Sequence, residues 1–320
     1  GQPNVIFEWQ YHWVRSSNGY WTIFSVGQTK EGSALLVITG TPDGEKIVNI
    51  YPGILTAANQ GFDIQFQGQN VSYQGTQDSS GDRIVISTPG FNFDATLTDK
   101  VGVIEHGTVQ VAKGVSSPDY YSQPLLANGT MVIANVQINL EGAIAQNDHQ
   151  YGITEVGLID NSKLSAITGN NLTISHDWIY ADLGEIAVSG TKIKDKGSGE
   201  ILANYVLVKK PGETQESADD AIFTPLEFYP NNFSKKLRIV SSKLQFDMTV
   251  EIPDQNSMIL GNIMQEDGSA KVTATYREQT YSASGIKEST DNTGPPPQPE
   301  LKGDIDNDGD VDIFDYNILV

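Results

Sequence analysis

Polar and apolar residues alternate with period two along most of the chain. Leu244, Phe246, Met248, Val250 and Ile252 interleave with Gln245, Asp247, Thr249 and Glu251. In an extended strand, successive side chains leave opposite faces, so this segment predicts a strand with one buried and one wet face. Phe62-Asp-Ile64-Gln-Phe66-Gln67 and Phe91-Asn-Phe93-Asp-Ala95-Thr-Leu97 repeat the pattern. Turn-forming groups punctuate such runs at Thr41-Pro-Asp-Gly44, Ser79-Ser-Gly-Asp82, Lys196-Gly-Ser-Gly199 and Glu266-Asp-Gly268. Only Gln215–Ile222 and the C-terminal tail read as helical. The expected fold class is all-β, with many short antiparallel strands in sandwiches or barrels.

At 320 residues the chain can hold two cores. A break is expected near Lys113–Pro124, where Gly, Ser and Pro cluster. A second follows Ser289, because Gly294-Pro-Pro-Pro-Gln-Pro299 cannot supply the amide donors of a ladder. The expected layout is β domains over 1–117 and 118–288, a Pro-rich linker over 289–300 and a tail over 301–320.

Forty acids stand against twenty bases, a net charge of −20. Such a surface repels phosphate backbones, so no nucleic-acid partner is expected. No apolar run reaches the ~18 residues of a membrane-spanning helix. The absence of cysteine excludes disulfide staples. Gly1 at the start is what removal of a leader or a tag would leave.

The tail carries the most specific spacing. Asp304, Asp306, Asp308, Asp312 and Asp315 occupy positions 1, 3, 5, 9 and 12 of a twelve-residue loop, with Gly309 at position 6. Ca²⁺ takes six to eight hard oxygens, and that glycine allows the sharp turn that gathers them. Asp310 would add its backbone carbonyl. With Ile313–Val320 after it, the segment resembles one repeat of a bacterial dockerin. Dockerins use two repeats to grip a cohesin, so a cohesin-type partner is expected only if a second repeat exists in the full gene product. Ca²⁺ is the expected cofactor, no organic cofactor is implied, and millimolar calcium points to an extracytoplasmic, secreted or surface-associated setting.

Two clusters elsewhere are candidates for chemistry. Trp9, Tyr11 and Trp13 alternate along one stretch after Glu8 and so share a strand face. They read as core packing or as the aromatic wall of a ligand pocket. Asn147-Asp148-His149-Gln150-Tyr151 and Ser175-His176-Asp177-Trp178 bring together two of the four histidines and the last tryptophan. A carboxylate beside an imidazole suits acid/base work, and suits structural hydrogen bonding equally. A zinc site from His149, His176 and a carboxylate matches no strong spacing.

The order of these segments resembles the hydroxyneurosporene synthase (CrtC)/AttH-like family. Glu8-Trp9-Gln10-Tyr11 is similar to its opening motif, and Tyr120-Tyr-Ser122-Gln-Pro124 to the start of its second half. Asp148-His149-Gln150, His176-Asp177-Trp178 with Asp182-Leu-Gly184, and Tyr276-Arg-Glu278 resemble later stretches. Gln10, Tyr151 and Arg277 stand where that pattern has Trp. The resemblance implies two tandem lipocalin-like β-barrels with a site at or between them. Members include hydratases, cyclases and AttH-like proteins. It implies Asp148, His149, Tyr151 and Asp177 as candidate catalytic residues, with Asp177 as a buried acid and His149 positioning water. It implies Glu8, Trp9, Tyr11, Trp178 and Glu278 as candidate ligand-binding residues. The expected function is binding of a small, largely apolar molecule. The alternatives are a hydratase, isomerase or cyclase acting on an isoprenoid or polyketide-like substrate, and a scaffold-docked accessory protein of a polysaccharide-associated system.

Overall fold

The computed structural model describes residues 4–29, 32–57, 63–78, 81–112, 114–154, 174–229, 233–252, 257–260 and 263–291. The tail with the Asp304–Asp315 loop lies outside them. All regular structure among the described residues is strand, and no helix is long and apolar enough to cross a membrane.

Twelve strands form the first sheet: β1 (Asn4–Arg15), β2 (Trp21–Thr29), β3 (Gly32–Gly40), β4 (Lys46–Ala57), β5 (Ile64–Gly68), β6 (Val71–Asp78), β7 (Gly81–Thr88), β8 (Phe91–Asp99), β9 (Ile104–Ala112), β10 (Val115–Ile133), β11 (Val136–Asn139) and β12 (Ala143–Thr154). β1 to β8 run as a meander. β12 then pairs with β1, and β10 pairs with both β12 and β8, which closes a ten-stranded barrel. Closure leaves no free edge within the ring. The interior is filled by Val14, Phe24, Leu35, Phe66, Tyr73, Ile86 and Phe93, each at most 1% exposed. Burying each such side chain contributes roughly 1.5–3 kcal/mol.

The second sheet holds β13 (Ile174–Asp182), β14 (Ala187–Asp195), β15 (Ile201–Lys209), β16 (Glu216–Ala218), β17 (Ile222–Phe228), β18 (Ser234–Ser241), β19 (Phe246–Glu251), β20 (Ser257–Leu260), β21 (Ile263–Tyr276) and β22 (Gln279–Asp291). Its order is β16-β15-β14-β13-β22-β21-β19-β18-β17, with β20 on β21. It curls around Ile179, Val188, Val206, Leu237, Met248 and Val272 without a ladder between β16 and β17. The alternation expected at 244–252 holds, with Phe246, Met248 and Val250 buried.

Four expectations need correction. The break near 117 falls inside β10, and the two sheets divide between Thr154 and Ile174, because β10 and β12 are the strands that close the first ring. The segment 215–222 is a short strand and a bend. Glu216–Ala218 ladder onto β15, and the Asp220 carboxylate binds Ser241, Ser242 and Lys243, so tertiary pairing overrides the local helical pattern. Glu266-Asp-Gly268 is no turn but mid-strand, held in β21 between β20 and β22. β22 also runs on to Asp291, past the expected start of the linker.

The two barrels meet along a seam. Tyr11, Trp13, Trp21, Ile23 and Ile38 from the first pack with Trp178, Tyr180, Leu207 and Ile286 from the second. Trp21 lies so close over Gly40 that a Cβ there would come within 2.1 Å of the indole. Lys100 Nζ reaches the Asp182 carboxylate at 2.6–2.7 Å across the seam. The Gln215 amide pairs with both backbone groups of Glu105 at 2.8 Å.

Candidate functional site

Strand alternation decides where each candidate side chain goes. On β12, Ala143 and Ala145 belong to the first barrel's interior. His149 therefore faces into that barrel, and Asp148 faces out toward the second. On β13, Ile179 and Ala181 belong to the second barrel's interior. Asp177 shares that face, whereas His176 and Trp178 face the seam. Asp148, His149 and Asp177 thus enter three different environments, and no single cavity gathers them.

His149 sits at the mouth of the first barrel. Its Nε2 lies 3.1 Å from Glu8 Oε1, and its ring stands 5.4 Å from that of Tyr121. The hydrogen bond from His149 holds the Glu8 carboxyl below its ordinary range, against a smaller opposing effect of burial. Deeper in the same barrel, His12 stacks on Phe24 with centroids 4.9 Å apart. Burial pushes its imidazole down to about 3.

Asp177 belongs to a short chain on the inner face of the second sheet. Lys287 Nζ donates to Ser289 Oγ at 2.6 Å, and Ser289 Oγ donates to Asp177 Oδ1 at 2.6 Å. Lys287 is fully buried.

The seam holds the most developed network. Ser122 Oγ, on β10, donates to Asp148 Oδ1 at 2.8 Å. His106 Nε2 lies 2.9 Å from Ser122 Oγ, and His106 Nδ1 lies 2.8 Å from the Tyr205 hydroxyl of β15. Since Ser122 spends its proton on Asp148, its oxygen accepts from Nε2–H, which leaves Nδ1 to accept from Tyr205. The chain Tyr205–His106–Ser122–Asp148 therefore has one consistent direction and crosses from the second barrel to the first. His106 stacks on Tyr120 at 4.0 Å, and Tyr120 also hydrogen-bonds Asp148.

A bulge makes this geometry. Tyr120 pairs with Gly107 and Tyr121 with Glu105, so His106 is an extra residue in β9. Gly107 takes the left-handed conformation, φ 71°, that such a bulge needs. Burial pushes the Asp148 carboxyl up to about 8, and nearby Glu288 adds to the rise, while the bonds from Ser122 and Tyr120 act the other way. Burial pushes the His106 imidazole down to about 3. Near neutral pH, then, the seam holds a protonated carboxyl beside a neutral imidazole. Glu288 pairs with His176 Nε2 at 3.0 Å on the same side.

Aromatic rings frame this cluster. Tyr11 is the direct β1 partner of Asp148, and Trp13 that of Gln146. Tyr11 meets Trp178 edge-on at 6.2 Å, and Trp13 meets Tyr180 at 6.3 Å. Among the described residues, both amide atoms of Gln146, which is fully buried, and the Trp178 indole nitrogen have no hydrogen-bond partner. Buried polar atoms are nearly always satisfied, so these unsatisfied atoms stand out along the strands that carry the aromatic wall.

Of the remaining sequence candidates, Trp9 and Tyr151 lie on β1 and β12 opposite Gln150 and Glu8, with side chains outside the described set. Glu278 sits in the exposed turn between β21 and β22 at φ 71°. The seam residues of β22, Ile286 and Glu288, lie eight and ten positions further along, so Glu278 does not join them. His106, Gln146, Tyr205 and Glu288 were not singled out by sequence reasoning. A histidine directly before a glycine in a β run was the available signal for a bulge. Among the described residues no cluster of three or more His, Asp or Glu could hold a metal ion.

A closed antiparallel barrel joined side by side to a second curled sheet defines a tandem lipocalin-like β-barrel protein. Two solved structures share this arrangement. An AttH-type protein of Nitrosomonas europaea matches 90% of this chain and 92% of its own with TM-score 0.66 and 17% identity. Kievitone hydratase of Nectria haematococca matches 90% of each chain with TM-score 0.59 and 10% identity. No family model and no curated protein matches the sequence. At these identities the likeness is one of fold.

Proposed function

We propose that this chain binds a small, largely apolar molecule in the seam between its barrels. The observation that carries this reading is the orphaned Gln146 amide and Trp178 indole beside Tyr11 and the buried Asp148. Aromatic walls with few convergent polar groups are the usual make-up of a small-molecule site. The fold shared with an AttH-type protein and a hydratase supports the same class of ligand. The test is titration with a hydrophobic fluorophore, read by quenching of tryptophan emission. Wild type should bind, and Trp178→Ala and Gln146→Leu should each weaken binding about tenfold or more. Equal affinity in all three sinks the reading.

A second reading follows from the Asp148 carboxyl being protonated near neutral pH. Such an acid can protonate an alkene carbon. Water then adds to the resulting cation and returns a proton to the Asp148 carboxylate. In this reading the proton donor is Asp148 rather than Asp177. Incubation with prenylated isoflavonoids and acyclic carotenoids should give products heavier by one water, and Asp148→Asn should abolish them. Products formed equally by that variant reject it. For the tail, the carboxylate spacing over 304–315 supports Ca²⁺ binding outside the cytoplasm. Calorimetry of wild type against Asp304→Ala and Asp315→Ala tests it, and three equal titrations would exclude a site.

A further inference from the structure

The chain has only four arginines, and three are matched to carboxylates. Arg83 pairs with Asp94 at 3.1 Å and Arg238 with Asp247 at 2.5 Å, and Arg277 pairs with Glu216. Arg15 is the exception. Its guanidinium contacts the Ser269 hydroxyl, and no carboxylate of the described residues comes within ion-pair distance. It is also more than half buried, which works against its charge. A half-buried, unmatched guanidinium in a chain of net charge −20 is costly.

Arg15 opens into a cleft of about 320 Å³ at the far end of the seam from Asp148. Arg15 and Asp148 share the outward face of β1 and β12, but Arg15 pairs with Ile144, four positions along β12 from Asp148. The first barrel contributes Arg15, Trp21 and Glu45. The second contributes Ile252, Ser269 and Lys271. Trp21 is the direct β2 partner of Arg15. Trp21 and the exposed Pro42 give the cleft an apolar side, and Arg15, Ser269 and Lys271 supply donors. Neither Arg15 nor Lys271 pairs with Glu45 at the rim.

We infer that this cleft binds a small molecule carrying one carboxylate on an apolar body. The planar guanidinium fork matches a carboxylate through two parallel hydrogen bonds. Ser269 and Lys271 would complete the oxygens' shell, and the apolar body would lie along Trp21 and Pro42. Because donors come from both barrels, such a ligand would also clamp them together. The inference does not depend on the seam reading.

Calorimetry with sodium 2-naphthoate, with inorganic phosphate as a second probe, tests it on the full chain. Naphthoate should bind wild type at one site. Arg15→Gln should weaken it about tenfold or more, Lys271→Gln about threefold, and Glu45→Gln should tighten it about twofold. Trp178→Ala should leave naphthoate affinity unchanged. No binding to wild type, or unchanged affinity in a folded Arg15→Gln protein, overturns the inference. Loss with Trp178→Ala alone would assign the acid to the other site and also overturn it, as would binding of phosphate but not naphthoate. Should Arg15→Gln fail to fold, the exposed Lys271→Glu carries the test, and undiminished affinity there is equally fatal.

Discussion

Asp148 and His149 are chain neighbours, yet they live in opposite chemical settings. At the barrel mouth, His149 meets a half-exposed Glu8, and the pair favours the charged carboxylate. In the seam, one residue back, Asp148 is enclosed by Tyr120, Ser122 and the His106 bulge, and the neutral carboxyl is favoured. The difference comes from which face of β12 each side chain leaves. Water at the mouth screens and solvates charge, whereas the packed seam makes charge expensive. Identical residue types therefore say little about chemistry until the strand face and its covering are known.

The comparison breaks most severely if the seam's packing is removed. Trp13 is fully buried between the barrels against Tyr180. Trp13→Ala should destabilise the chain by about 3–5 kcal/mol in denaturant unfolding. A loss under 1 kcal/mol would mean that the seam is not a packed interface.

Next comes the protonation of Asp148. Its folded carboxyl titrates near 8, against 3.8 as the ordinary value. The folded state therefore holds a proton that the unfolded chain releases. This favours folding fully below about pH 4, and the advantage is lost as pH rises toward 8. Asp148→Asn cannot ionise, so its stability relative to wild type should rise between pH 5 and 8, by about 2–3 kcal/mol in all. Parallel stability curves over that range would refute a neutral Asp148. The buried His12 and His106 act oppositely, since both titrate near 3 when folded. Their contribution is lost as pH falls from about 6.5, so it does not mimic the Asp148 effect above that pH.

Much of this fold was legible in the sequence, because period-two alternation is a local consequence of strand geometry. Leu244–Ile252 and Phe91–Leu97 turned out buried on the faces their patterns assigned. The shared face of Tyr11 and Trp13 was legible for the same reason. What covers that face was not, since Trp178 and Tyr180 arrive from a distant strand. The placement of Asp177 failed similarly: its position beside Trp178 puts the two on opposite faces, and the motif reading treated them as one cluster. His106 escaped because its role depends on a bulge, which adds one residue to β9 without changing composition. The domain break was misplaced since Gly, Ser and Pro near 113–124 mark irregularities within β10, and ring closure is a long-range fact.

A finer cut through the seam separates packing from hydrogen bonding. His106→Phe keeps a ring to stack on Tyr120 but removes both ring nitrogens. The Tyr205 hydroxyl and Ser122 Oγ would each lose a partner in a buried setting. A loss of about 1–3 kcal/mol is expected, together with a change in the alkaline stability profile as the relay to Asp148 is cut. An unchanged profile with reduced stability would show that His106 supports the bulge and does not act on Asp148.

The mouth should be the least sensitive. Glu8→Gln removes a carboxylate whose side chain is 46% exposed, and solvent screens most of what its bond to His149 contributes. The expected cost is about 0.5 kcal/mol. Because His149 holds the Glu8 carboxyl below its ordinary range, this contribution is present above about pH 4.5 and fades as pH falls through the folded value. The variant and wild type should therefore converge in stability at low pH and differ slightly at pH 7. A loss above 2 kcal/mol would place Glu8 and His149 in an enclosed site of their own, and erase the contrast between the two faces of β12.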